Sequence, residues 1–146
     1  MENQKKLHKE IDLIEGVINR MANNSFMIKG WTLTIVGVVF ALTNNNPVTF
    51  IVVTGIAVVI ISFWCLDTFY LRTERKYRAL YTDILSKTHN KKYNEIDWYN
   101  LDTKKYEYAP SVGSFKSVMW SKTIWPFYFL LLLIVLFILI VSIILK

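Results

Sequence analysis

Six polar side chains stand in or beside stretches where apolar neighbours dominate: Asn19, Asn23, Asn24, Ser25, Lys29 and Asp67. At membrane depth such groups are costly unless they meet a partner or water. Two readings follow for the first five. They mark a hydrated, interface-level helix start, or Asn23, Asn24, Ser25 and Lys29 line the mouth of a water-filled pore built from several copies. Asp67 is the one acid at its level, and the Lys29 stem is long enough to reach it across a hairpin.

A second constellation is basic. Arg72, Arg75, Lys76 and Arg78 follow Asp67 closely, with Glu74 and Arg78 at i,i+4. Further on, Lys91, Lys92, Lys104 and Lys105 interleave with Trp98, Tyr99, Tyr106 and Tyr108. Such a face serves as a stop-transfer and lipid-headgroup anchor. Its other use is a site for a phosphate-rich ligand, since bases of single-stranded nucleic acid stack on aromatic rings between cations.

Neither group is a catalytic centre. His8 and His89 lack partners at ligand spacing and are expected to be solvated. The chain carries no Gly-rich phosphate loop, no metal or cofactor motif and no nucleophile beside a base. The segment outside the apolar blocks is too small for an ordinary enzyme pocket. A non-enzyme is expected, with no metal and no cofactor. The single cysteine, Cys65, cannot pair within the chain and is expected to be a small buried hydrophobe.

The elements that position these residues are apolar and helical. Of 146 residues, 53% are hydrophobic and only 19% charged, a balance no ordinary soluble domain of this size shows. The apolar residues concentrate in segments 31–43, 48–66 and 124–145. The second and third match the ~20 residues a spanning helix needs. The first suffices only if its helix starts near Ser25 and Lys29 snorkels. The turn Asn44-Asn45-Asn46-Pro47 makes the first two an antiparallel hairpin. The expected fold is therefore all-α: an integral membrane protein with three transmembrane helices, an N-terminal amphipathic helix and a small cytoplasmic segment. Residues 1–25 form the amphipathic helix, 26–66 the hairpin, 67–122 a cytoplasmic helix extension and loop, and 123–146 the third span. The second helix is expected to continue through Leu80, Tyr81 and Ile84 to about Ser86. Phe63, Trp64, Phe69 and Tyr70, then Trp125, Phe127 and Tyr128, are placed to belt the inner interface. Between them, residues 110–113 read as a turn. Residues 114–120 read as an interfacial helix with Val118, Met119 and Trp120 facing the membrane.

Charge sets the orientation. A formal charge of +6 would suggest nucleic acid for a soluble protein. Here sixteen of seventeen Lys and Arg fall within residues 1–30 and 67–122, leaving only Lys146 elsewhere. Positive charge marks the cytoplasmic side. The expectation is a bacterial inner-membrane, multi-pass protein with its N-terminus cytoplasmic and its C-terminus outside. Residues 1–24 are too polar for a signal peptide.

Leu7, Ile11, Ile14, Ile18 and Met21 follow a 4-3-4-3 spacing that continues through Ser25 and Ile28. That is the seam of a coiled coil, packed within or between subunits. A helix lying flat on the inner leaflet is the other reading. Gly37 and Ala41 are spaced to let another helix approach closely.

Three stretches carry a resemblance: Arg20-Met21-Ala22-Asn23-Asn24-Ser25-Phe26 with Lys29-Gly30-Trp31; Phe63-Trp64 to Asp67 with Tyr70-Leu71-Arg72, Glu74-Arg75 and Tyr77-Arg78; and Ser121-Lys122-Thr123-Ile124-Trp125. Together they resemble a family of small bacterial three-span membrane proteins. That family includes effectors of anti-phage abortive-infection operons, among them transmembrane effectors of Hailong-type systems. The resemblance implies a homo-oligomeric channel that depolarises the cell, and a nucleotidyltransferase-like partner enzyme. Single-stranded DNA or a nucleotide made by that enzyme would control the channel. Two other functions compete: a non-conducting membrane anchor or scaffold recruiting a cytoplasmic partner, and a small transporter, which the absence of broken helices disfavours.

Overall fold

The computed structural model describes residues 2–43 and 50–144. The turn expected at Asn44–Pro47 lies outside them. Every regular element among the described residues is helical. Helix α1 spans Glu2–Thr43, α2 Phe50–His89, α3 Phe115–Met119 and α4 Trp125–Ile144, with 3-10 turns at Tyr93–Glu95 and Lys104–Tyr106. Three of these, α1, α2 and α4, are long and apolar enough to cross a membrane.

The N-terminal seam and the first apolar segment form one unbroken helix, because nothing from Ile18 to Lys29 breaks the backbone pattern. At about 1.5 Å per residue, α1 with 42 residues and α2 with 40 are rods of about 60 Å. They lie side by side, and α3, α4 and both 3-10 turns pack on α2. Each rod has an apolar half and a charged half. One core cluster joins the apolar halves through Val36, Val53, Ile56, Ile60, Trp64, Tyr128, Leu131 and Val135. The other joins the charged halves through Ile14, Leu80, Ile84, Ile96 and Tyr106.

The seam is occupied within the chain. Ile14 is fully buried, and Leu7 and Ile18 pack with it against α2 and the segment after it. Ile11 and Met21 are half-buried. Narrow as it is, the seam is wide enough to dock one helix on another.

Three placements differ from expectation. Val118 is fully buried rather than membrane-facing, because α3 packs on α2; of the three residues expected to face the membrane, Trp120 is the exposed one. Trp64 and Tyr128, expected in an aromatic belt, are buried against each other. Cys65 is half-buried. His8 and His89 are exposed, as expected.

Candidate functional site

Ser25, Lys29 and Tyr128 converge on one carboxylate. Asp67 is completely buried. Its Oδ1 accepts a hydrogen bond from the Ser25 hydroxyl. Its Oδ2 accepts from Lys29 Nζ at 2.5 Å and from the Tyr128 hydroxyl at 3.2 Å. Lys29 Nζ also donates to Ser25 Oγ at 3.0 Å. Ser25, Lys29, Thr32 and Val36 recur at 4-3-4 spacing, which puts them on one face of α1, and that face meets Asp67 on α2 and Tyr128 on α4. Thr32 and Thr68, both buried, return their hydroxyls to backbone carbonyls one turn earlier. The cluster thus ties three helices at one level.

A buried charge is tolerated when it is paired and its remaining lone pairs are satisfied, and Asp67 meets both conditions. Removing one member of such a pair costs about 3–5 kcal/mol, since the other stays buried and unpaired. Saturated by one another, these groups brace the bundle.

Of the four residues expected at a pore mouth, Ser25 and Lys29 therefore face inward. Asn23 is exposed, its amide 3.7 Å from Met27 Sδ, and Asn24 is half-buried. Opposite the Asp67 face, Asn23, Met27, Gly30, Thr34, Gly37 and Ala41 recur at 4-3-4-3-4 spacing and are all exposed. A Cβ built on Gly30 or Gly37 would meet nothing within 4 Å. Helix α1 thus carries two lengthwise faces, one filled within the chain and one lined with small and polar residues.

The basic constellation turns out to be largely a clamp. Arg72 donates to Glu107 Oε1 at 3.0 Å, to the Glu107 carbonyl at 3.2 Å and to the Gly113 carbonyl at 3.2 Å. Lys76 donates to Glu107 Oε2 at 3.0 Å. Hydrogen bonds from Lys76 and then Arg72 hold the Glu107 carboxyl below its ordinary range. Lys105 reaches Asp83 at 2.8 Å and lies 4.6 Å over the Tyr106 ring. Asp83 also accepts from Tyr106 at 2.6 Å and Lys87 at 3.0 Å. Burial pushes the Asp83 carboxyl up, but these three donors outweigh it and hold the group well below the carboxylate range. Lys104 is exposed. Arg75 makes a 3.5 Å contact to the Val112 carbonyl, and Arg78 pairs with Glu74 at 2.7 Å as the spacing predicts. With Thr82, Tyr106 and Ser111, Arg75 and Arg78 line a cavity of about 420 Å³.

Two structural residues escaped sequence reasoning. Glu107 sits between aromatics in a segment without periodicity, and only its pairing with α2 gives it meaning. Glu10 is fully buried and accepts the Tyr99 amide at 2.6 Å, fixing the loop after α2 onto α1. Tyr99 holds a left-handed φ of 64° there. The signal for Glu10 was its place one turn before Ile14.

Comparison of the chain with family models, curated proteins and solved structures gives no match.

Proposed function

We propose that this chain is one subunit of an oligomeric, ion-conducting protein of the bacterial inner membrane. Its opening depolarises the cell and arrests growth as an anti-phage effector. The N-terminus and the charged lobe lie in the cytoplasm and the C-terminus outside, in keeping with the Lys and Arg distribution. The observation that carries the reading is the exposed face of α1 from Asn23 to Ala41. Helices associate in lipid through small residues that let backbones approach, and polar side chains on such a face can line a wet path. The outer face of α4, in contrast, presents Phe129, Leu133 and Phe137, side chains suited to lipid, while that of α2 sets Ile51, Val58 and Ile61 among Thr54, Gly55 and Ser62. Control by a nucleotide or single-stranded DNA rests on Arg75 at this cavity, as Arg78, Arg72, Lys76 and Lys105 are each paired with an acid.

The test is expression in a bacterial host without any partner gene, read with a potential-sensitive dye. Depolarisation and growth arrest are expected. Asn23→Leu should relieve both at unchanged protein level, since hydrophobic constrictions exclude water from a pore. A scaffold would leave the potential intact in parent and variant alike.

A further inference from the structure

Helix α1 bears the Asp67 cluster on one face and the small, polar stripe on the opposite one. Any rotation or sliding of α1 that rearranges the stripe must first break the cluster. The neighbouring Ile28, Val36, Val53 and Ile56 are buried apolar side chains that carry no charge to fix the register. Among the described residues, charge-assisted hydrogen bonds tie α1 to the rest at two places. One is the Asp67 cluster and the other is Glu10 with the Tyr99 amide, far along the charged lobe. The Asp67 cluster alone acts at the level of the stripe.

The cluster is also asymmetric in a way that permits release. The Asp67 side chain is 0% exposed, whereas Lys29 is 22% exposed and reaches the edge of the bundle. Lys29 can therefore leave the carboxylate for water or headgroups by swinging its flexible stem. Asp67 is not stripped when it does so, since the Tyr128 hydroxyl on α4 still donates to it, and the neutral Ser25 bond is then the tie to α1 left at this level.

We propose that the Lys29–Asp67 pair is a releasable latch, whose opening lets α1 move against α2 and α4 and is the gating step of the protein. The inference rests on the conducting reading for its consequence, but the movement can be measured without conduction. Lys29 and Asp67 are positioning residues in this scheme; they do not line the path.

The experiment uses the full chain in lipid vesicles. Spin labels at Arg20→Cys on α1 and Phe69→Cys on α2, both exposed positions, report their separation in a Cys65→Ala background. Unlabelled protein in potassium-loaded vesicles reports efflux. Lys29→Gln is the main variant, because its site reaches the bundle surface and Asp67 keeps two donors; Asp67→Asn is the second. Each should add a second distance population and raise efflux at least about tenfold, a lower bound because Lys29 is partly exposed and its pair is worth less than a fully buried one. The charge exchange Lys29→Asp with Asp67→Lys should restore the parent distribution. A new population with no efflux from parent or variants keeps the latch and ends the conducting reading. An unchanged distribution in helical, monodisperse Lys29→Gln protein overturns the latch. So does a charge exchange that stays as open as Lys29→Gln.

Discussion

The Trp64 indole lies flat on the Tyr128 phenol ring, with centroids 5.9 Å apart and planes 9° apart. Trp120 meets the same indole edge-on at 5.4 Å, and Trp64 Nε1 donates to the Met119 carbonyl at 3.1 Å. The stack presses α4 and α3 against α2 and aims the Tyr128 hydroxyl at Asp67. Packing and hydrogen bonding at this junction can be separated by mutation. Tyr128→Phe keeps the stacked ring and removes one of three donors to Asp67, so a loss of about 1–2 kcal/mol is expected. Trp64→Ala opens a cavity beneath two rings and should cost about 3–5 kcal/mol. Thermal unfolding in detergent measures both. Equal losses would mean that the hydroxyl, rather than the stack, organises the junction.

Glu107 is expected to control the segment that crosses back over α2. Glu107→Gln leaves Arg72 and Lys76 without their counter-charge, while Arg72 keeps its carbonyl partners. Residues 104–113 should then open more often, and trypsin should cut faster after Lys104 and Lys105. The helices themselves should be cut no faster. Proteolysis followed by mass spectrometry reads this directly. Cleavage that starts equally within α1 or α2 would show that Glu107 supports the whole lobe.

The Asp83 cluster predicts a pH dependence with a definite sign. Its carboxyl is held below the usual range, so the unfolded chain takes up a proton first, and stability rises with pH there. The contribution is complete above the unfolded carboxylate value of about 4 and is lost as pH falls towards the folded value. Between pH 7 and 3 the melting temperature of the parent should drop. Asp83→Asn should start lower at pH 7 and fall less, with Glu107 supplying part of the remaining slope. A parallel curve for Asp83→Asn would refute the assignment.

What could be read in the sequence, and what could not, follows from the range of each interaction. Helical spacing is local, so Leu7, Ile14 and Ile18 announced their seam, and the long uninterrupted rods followed from unbroken periodicity. Lys29 and Asp67 were legible because each is the rare charge at its depth. The seam's spacing left its partner open, and the fold supplies one within the chain. Tyr128 as a donor to Asp67 was not legible, since the two are separated by 61 residues and an aromatic at a helix start reads as a lipid belt. The clamp by Arg72 and Lys76 was read as an open basic face for a related reason. Its acid lies in a segment whose path no pattern fixes. Charges that look free in sequence are often those that hold irregular segments down.

The last prediction separates the two faces of α1. The seam is filled within the chain, so Ile14→Asp with Leu7→Asp would bring charges into the apolar cluster that joins the charged lobe. That variant should unfold the lobe, seen as lost helicity and fast proteolysis of residues 2–24. Gly37→Leu is different in kind. Nothing stands within 4 Å of a Cβ at Gly37, so the single chain accommodates the side chain, and the bilayer takes a leucine readily. In an assembly built on the outer face, the same leucine holds neighbouring helices apart. Crosslinking in native membranes should therefore show higher species for the parent and monomer for Gly37→Leu, at equal abundance and melting temperature. Thr34→Leu, one step along the same face, should behave alike, whereas Val58→Leu on the outer face of α2 should leave the pattern unchanged. If Gly37→Leu and Thr34→Leu both crosslink as the parent does, the outer face of α1 is a lipid surface. The proposed assembly would then have to use other helices.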